Sequence, residues 1–119
     1  MKFTTEQRKL IESRPAAFAT IGSDGKPHVI GVAALKVVGS DQVLISDNHM
    51  ETTKANIQND PVVAFVIWDE KMNGWQFKGI AEYFSTGEWV EKVKKIKENK
   101  DMPAKGAVIV TVLEARKSA

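Results

Sequence analysis

The sequence predicts a single mainly β domain, in which about six antiparallel strands form a small barrel accompanied by about three helices. Short runs rich in β-branched residues recur along the chain, and turn-forming residues separate them. These strands do not alternate with long helices, which argues against a doubly wound parallel sheet. The 119 residues suffice for one core and not for two, so residues 1–119 are expected to form one domain.

Composition narrows the class of protein further. The chain is 43% hydrophobic and 27% charged and has no cysteine, which excludes collagen-like, disordered and disulfide-stapled proteins. Without cysteine there is no thiolate nucleophile, iron–sulfur cluster or thiolate zinc site, so redox chemistry would need a bound cofactor. With 17 basic and 15 acidic residues, the formal charge of +2 is too low for a dedicated nucleic-acid binder.

Nothing in the sequence predicts membrane insertion or secretion. No run approaches the roughly 18 to 20 apolar residues that cross a bilayer. The N-terminal residues MKFTTEQRKL are too polar for the apolar core of a secretory signal. We therefore expect a cytoplasmic protein with no membrane partner.

The N-terminal half predicts one helix followed by three strands. Thr4 and Gln7 have the spacing of a capping box, and Pro15 ends the helix at Arg14. The runs AAFATI, HVIGVAALKVV and QVLIS predict three strands of a meander. Asp24-Gly25 and the segment Gly39-Ser40-Asp41 predict the turns between them.

The C-terminal half predicts two helices and three strands. A short helix from about Thr53 to Asn59 stops at Asp60-Pro61. The runs VVAFVIWD and WQFKGIAEYFS form a hairpin through Asn73-Gly74, and GAVIVTVLEA is the last strand.

Two details of this half are predicted from local sequence. Gly79, inside a long strand, indicates a bulge or a close backbone approach. Ser85 and Glu88 have the spacing of a second capping box, which would open a helix with Trp89 or Val90, Val93 and Ile96 on one face.

The segment ISDNHMETTKANIQNDP is the strongest candidate for a binding site. A strand ends there in Ser46 and Asp47, and the following helix starts with Thr52, Thr53 and Lys54. Free backbone N–H groups, two hydroxyls and an ammonium group within one turn suit a phosphate. The simpler alternative is that Thr52 caps a short helix and that Lys54 is solvated.

The order of these motifs resembles the pyridoxamine 5′-phosphate oxidase-like family of flavin-binding split barrels, particularly its short FMN-binding members. The resemblance runs from about residue 16 to residue 84. The matching motifs are Gly25-Lys26-Pro27, Ser46-Asp47, Thr52-Thr53-Lys54-Ala55 and Asn59-Asp60-Pro61.

This resemblance implies a six-stranded antiparallel split β-barrel that forms a homodimer and binds FMN at the subunit interface. It implies that Thr52, Thr53 and Lys54 hold the FMN phosphate and that Ser46 and Asp47 lie near the ribityl chain. The edge made by Gly31, Val32 and Ala33 would present backbone groups to the isoalloxazine ring. The alternative for Gly31, Ala33 and Ala34 is that small residues fit a tight barrel interior.

The sequence also departs from the pyridoxamine oxidases proper. Those enzymes carry arginines on the strand that here holds His28 to Val32, and this chain has His28 at the first place. They also carry an Arg-Gln pair that enters the strand before Gly79, where this chain has Gly74-Trp75-Gln76. Their C-terminal segment, which completes the substrate site, is not expected here. Oxidation of vitamin B6 is therefore disfavoured, whereas FMN binding is retained. The expectation is a flavoprotein, with an FMN-dependent oxidoreductase as its enzymatic form, while the catalytic residues and the redox partner stay unknown.

Several alternatives stay open at this stage. A small OB-like barrel could bind single-stranded nucleic acid without catalysis, and related barrels use deazaflavin or haem at the same interface. His28 and His49 form no recognisable metal pattern, so no metal site is expected. The lysine-rich stretch from Lys92 to Lys100 is expected to be a solvated helix face. Trp68, Trp75 and Trp89 are assigned to the core or to a subunit interface rather than to a flavin.

Overall fold

The computed structural model describes residues 1–118, which form one seven-stranded antiparallel sheet with three α-helices and one 3₁₀ turn. In chain order the elements are α1 Thr5–Ser13, β1 Ala16–Ile21, β2 Pro27–Val32, β3 Leu35–Val37, β4 Gln42–Asp47, α2 Thr52–Asn59, β5 Val62–Trp68, β6 Gly74–Phe84, α3 Glu88–Val93, the 3₁₀ turn Lys97–Asn99 and β7 Gly106–Lys117. The strand order is β2-β1-β5-β6-β7-β4-β3.

The barrel has seven strands rather than the predicted six, because the run HVIGVAALKVV is divided. Its first half, β2, pairs with β1, and its second half, β3, pairs with β4. These two strands are the opposite edges of the sheet, and only Ala33 and Ala34 join them. The sheet must therefore curl until its edges meet, which gives the split barrel that the sequence predicts.

The first two helices agree closely with their predicted ends. Thr4 caps α1, since its hydroxyl accepts from the Gln7 amide at 3.1 Å and the Gln7 side chain accepts from the Thr4 amide at 2.9 Å. Helix α2 ends at Asn59, with Asp60 as its C-cap before Pro61. It begins at Thr52, one residue before the predicted start.

The predicted capping box at Ser85 and Glu88 is wrong. Helix α3 begins only at Glu88, its N-cap is Gly87 with φ of 101°, and no side chain caps it. Glycine adopts this positive φ without steric cost, so the chain turns late and Ser85 lies outside the helix. The predicted apolar spacing is confirmed for Val90 and Val93, which are buried on α3, whereas Ile96 is buried beyond the end of the helix, in extended backbone before the 3₁₀ turn.

Two hydrophobic clusters hold the fold together. The barrel interior is built around Phe18, Phe65 and Phe77, and the last two rings stack with centroids 4.9 Å apart. The second cluster lies under α3 and joins Leu44 to Val93. Each cluster buries residues distant in sequence, so it fixes where the loops between the strands lie.

Gly79 confirms the predicted irregularity in β6. The pairing of β6 with β7 shifts register between Lys78 and Gly79, and a Cβ at Gly79 would collide with the carbonyl oxygen of Thr111.

No helix within residues 1–118 combines the length and apolar character that a membrane span requires.

Candidate functional site

A cleft of about 320 Å³, here called the junction cleft, opens where β2 passes into β3. It brings together four of the predicted site residues, Gly31, Val32, Ala33 and Ser46. The other residues that line it are Ile30, Ala34, Asn48, His49, Met50, Glu98 and Met102. No sequence pattern predicts Glu98 or Met102 as site residues, because they lie about fifty residues beyond the predicted motif and reach it only through the tertiary fold.

The small residues of this cleft differ in their surroundings. Gly31 and Ala33 are exposed, whereas Ala34 is only 5% exposed. A Cβ at Gly31 would meet no heavy atom of residues 1–118 within 4 Å, and the backbone there has no positive φ. Tight packing therefore explains the small size of Ala34, which lies in the cluster under α3, but not that of Gly31 or Ala33.

Ser46 belongs to a buried polar network at the end of β4. Its hydroxyl donates to Asn48 Oδ1 at 2.9 Å and accepts from Asn99 Nδ2 at 2.8 Å. Asn48 Nδ2 in turn donates to Asn99 Oδ1 at 2.7 Å. The network ties the 3₁₀ turn to β4 and shapes one wall of the junction cleft. The hydroxyl of Ser46 thus already has a hydrogen-bond acceptor and a hydrogen-bond donor within the chain.

Asp47 is fully buried, and its carboxylate points into the protein. It accepts from the Met50 amide at 2.6 Å and from the hydroxyl of Tyr83. Burial, together with the negative charge of Asp47, raises the pKa of the Tyr83 hydroxyl above its ordinary value. Asp47 therefore fixes the loop between β4 and α2, because its hydrogen bonds hold that loop at Met50.

The three predicted phosphate ligands at the start of α2 are not equivalent. Thr52 is exposed, Thr53 is 1% exposed, and Lys54 is half-buried. The Nζ of Lys54 lies 4.9 Å from the centroid of the Tyr83 ring, a cation–π contact that orients its side chain. Lys54 is therefore not simply solvated.

The start of α2 has no side-chain cap. Glu51 is the N-cap residue but makes no capping hydrogen bond, and Thr52 is the first residue of the helix. The alternative assignment of Thr52 as a helix cap is therefore wrong. The backbone donors of the first turn lack the acceptor that a capping side chain would provide.

The predicted residues thus fall into two neighbouring groups rather than one cavity. Met50 lines the junction cleft, and α2 starts two residues later, packed against β1, β2 and β6. Thr52 and Lys54 do not line the cleft itself.

The histidines and tryptophans occupy different environments. His28 is half-buried on β2, and His49 is exposed in the junction cleft. Within residues 1–118, no three histidine, aspartate or glutamate side chains are grouped to hold a metal ion. Trp68, Trp75 and Trp89 are all half-buried, and the indole N–H of Trp75 is buried without a partner in that part of the chain.

The outer side of β1, β2 and β5 forms an apolar surface, here called the alanine face. It is built by alternate residues of paired strands, in which Ala17 lies opposite Val66 and Ala19 lies opposite both Val29 and Ala64. Val29 is 65% exposed at its centre. Contiguous apolar residues of this kind on a sheet surface are typical of protein interfaces.

Comparison with known proteins gives a family match over nearly the whole chain. The model of the family described as pyridoxamine 5′-phosphate oxidase matches residues 3–119. An uncharacterized protein of Methanocaldococcus jannaschii is 35% identical over 118 residues, which are 96% of this chain and 79% of that protein.

Solved structures of other proteins have the same fold as this chain. HupZ of Group A Streptococcus superposes with a TM-score of 0.88 at 22% identity, over 97% of this chain and 93% of that one. An FMN-binding protein from Syntrophomonas wolfei superposes with a TM-score of 0.84 at 16% identity, over 95% and 84% of the two chains. At these identities the likeness establishes the fold alone.

Proposed function

Because this chain belongs to the pyridoxamine 5′-phosphate oxidase family, we propose that it is a flavoprotein that binds FMN beside the junction cleft. The observation that carries this proposal is the exposed Gly31, which lines the cleft and has room for a side chain that it does not carry. A glycine that packing does not require is expected where a flat ligand approaches the backbone.

The edge from Gly31 to Ala33 would receive the isoalloxazine ring. Its small side chains let a planar ring approach the main chain, whose N–H and C=O groups can bond to the polar edge of the flavin. Val32, between them, is 8% exposed and anchors the strand in the barrel core. The ring would therefore lie on a surface that is held in place from beneath.

The FMN phosphate would lie at the start of α2. Lys54 supplies a positive charge already oriented by Tyr83, and Thr52 supplies an exposed hydroxyl. Thr53 is buried, so it would contribute its backbone N–H in the uncapped first turn rather than its hydroxyl. Ser46 and Asp47 would act from within the chain, because their hydrogen bonds set the position of the loop between the two groups.

A second copy of the chain would complete the site. The junction cleft, at about 320 Å³, is small for a tricyclic ring with a phosphorylated tail, and Gly31 also borders the alanine face. A homodimer formed through that face would bury its apolar residues and cover the exposed side of the flavin. The partner is therefore a second copy of this chain.

Within the family, an FMN-dependent oxidoreductase is the activity that we propose. The flavin would supply electron or hydride transfer, and the residues of this chain would bind it, orient it and exclude water from one side. The missing arginines of the pyridoxamine oxidases disfavour vitamin B6 as substrate.

The experiment is a visible spectrum of the purified protein followed by titration with FMN and riboflavin. We expect micromolar or tighter FMN binding. Lys54→Ala should weaken FMN binding about ten- to a hundredfold, as for loss of a charged hydrogen bond, and should weaken riboflavin binding little because riboflavin has no phosphate. Lys9→Ala, an exposed lysine on α1, is the matched control and should change neither affinity.

Four results would contradict the proposal in different ways. Absence of FMN binding would remove the proposed function. Equal losses for FMN and riboflavin in Lys54→Ala would remove the phosphate assignment alone. A colourless protein that binds single-stranded oligonucleotides in a salt-sensitive manner would favour the nucleic-acid alternative, and preference for deazaflavin or haem would change the cofactor.

A further inference from the structure

A second cleft, here called the lysine cleft, lies between β3 and the segment that leads from α3 into the 3₁₀ turn. Its volume is about 660 Å³, roughly twice that of the junction cleft. The residues that line it are Glu12, Leu35, Lys36, Val37, Val38, Lys92, Lys95, Ile96, Lys97 and Glu98. Its volume is within the range of small-molecule sites, about 300 to 1,000 Å³.

The lysine cleft is positively charged. Four of its side chains are lysines and two are glutamates, so it carries a formal charge of +2, as much as the whole chain. The Glu12 carboxylate accepts a hydrogen bond from the Val37 amide at 2.9 Å. Among residues 1–118, neither Lys95 nor Lys97 has a carboxylate within 4.0 Å. Their ammonium groups are available to an anion.

The floor of the lysine cleft is apolar and packed against the protein core. Leu35 and Ile96 are 3% and 7% exposed, and the half-buried Val38 packs on the same cluster as Ile96. An apolar floor ringed by ammonium groups suits a ligand that combines an aromatic body with several negative charges. A single monoanion would leave most of the lysines unpaired.

The two clefts adjoin each other. Glu98 lines both, and Leu35 of the lysine cleft directly follows Ala34 of the junction cleft. A ligand in the lysine cleft would therefore lie beside the proposed flavin site. None of the residues lining the lysine cleft belongs to the alanine face, so dimerisation through that face leaves the cleft open.

We propose that the lysine cleft binds a nucleotide that carries at least two phosphate groups. Its base lies on Leu35, Val38 and Ile96, and its phosphates pair with Lys95 and Lys97. The cleft favours a small nucleotide over a nucleic-acid strand, because Glu88 and Glu91 pair with Lys92 and Lys94, so that little positive charge extends beyond the cleft to hold a longer polyanion. This binding does not require the flavin.

The test is isothermal titration calorimetry, in which NADPH, ADP and adenosine are each titrated into the purified full chain. NADPH and ADP are expected to bind, more weakly as salt rises, and adenosine is expected not to bind. Lys95→Gln/Lys97→Gln should weaken NADPH and ADP binding at least tenfold. Lys94→Gln/Lys100→Gln removes the same charge from exposed positions of the same segment outside the cleft, and it should change binding less than twofold.

Failure of both NADPH and ADP to bind would overturn the proposal. An equal loss of nucleotide affinity in the two double variants would also overturn it, because the loss would then reflect the charge of the whole segment rather than the two lysines of the cleft. If a single-stranded oligonucleotide bound more tightly than ADP, the ligand of the cleft would be a nucleic-acid strand and the proposal would be wrong. FMN affinity should be unchanged in Lys95→Gln/Lys97→Gln. A chain that binds ADP but not FMN would overturn the proposed flavin function and leave this site standing.

Discussion

Gly31 and Ala34 are three residues apart, yet the same property, small size, serves different purposes at the two positions. Ala34 is buried in the cluster under α3, where any added volume meets packed atoms. Gly31 is exposed beside the junction cleft, and a side chain there would meet open space. Sequence alone groups the two residues together, and only their surroundings separate them.

Substitution by valine distinguishes the two roles. Gly31→Val should leave the free energy of unfolding within about 0.5 kcal/mol of the wild-type value, because nothing packs on the new side chain. It should weaken FMN and riboflavin binding alike, by about tenfold or more, since both present the same ring. Ala34→Val should instead cost about 1 to 3 kcal/mol of stability through overpacking.

Urea unfolding and flavin titration measure the two effects separately. Gly31→Val with unchanged flavin affinity would exclude the ring from this edge. If Ala34→Val left stability unchanged, the packing assigned to that position would be wrong.

At the level of elements, the 3₁₀ turn at Lys97–Asn99 contributes more than its three residues suggest. Asn99 is 2% exposed, and its amide nitrogen donates both to the Ser46 hydroxyl and to the Val93 carbonyl, at 2.8 and 3.0 Å. The turn thereby joins the end of α3 to the end of β4. It also forms the wall that separates the junction cleft from the lysine cleft, through Glu98.

Asn99→Ala should therefore destabilise the fold by about 1 to 3 kcal/mol, because it removes the buried donor to the Ser46 hydroxyl and leaves the side-chain amide of Asn48 without its acceptor. Thermal or urea unfolding measures the change. Asn59→Ala, at the exposed end of α2, is the control and should stay within about 0.5 kcal/mol. A negligible effect of Asn99→Ala would mean that water replaces the lost hydrogen bonds.

Local sequence predicted α1 better than α3 for a physical reason. The capping box of α1 uses side-chain and backbone groups three residues apart, so the sequence contains the whole interaction. The start of α3 depends on the positive φ at Gly87 and on packing of Val90 and Val93 against β4 and β7. The spacing of Ser85 and Glu88 could not reveal that constraint, which comes from the strands beneath the helix.

At the level of the whole molecule, the alanine face is the surface on which the proposed dimer depends. Val29 projects from its centre, and Val62 at its border is 47% exposed. An apolar surface of this kind gains stability when a second copy covers it.

Val29→Lys should convert the dimer into a monomer, because it places charges within an apolar interface. Sedimentation velocity measures the change in mass, and FMN affinity should fall with it if both chains contribute to the site. Leu113→Lys is the matched control, since Leu113 is 62% exposed on β7 outside the alanine face and its substitution should leave the dimer intact. A wild-type chain that sediments as a monomer would contradict the dimer directly.

The sequence by itself determined the local structure and the family. The strand runs, the turns at Asp24-Gly25 and Gly39-Ser40-Asp41, α1 and the end of α2 all depend on groups a few residues apart, and the order of short motifs was enough to identify the split barrel. The turn predicted at Asn73-Gly74 is displaced, because Gly74 already pairs with Trp68 and residues 69–73 make the turn. The sequence also marked Gly31 to Ala33 and Thr52 to Lys54 as the segments of interest.

Tertiary structure alone decided how those residues are used. It divided one predicted strand between the two edges of the sheet, and it turned the Asp47 carboxylate inward to Tyr83. It also brought Lys36 to a cleft with Lys95 and Lys97, sixty residues away in the chain. These outcomes depend on pairing and burial between distant segments, whose free energy is set by closure of the whole barrel rather than by any local pattern.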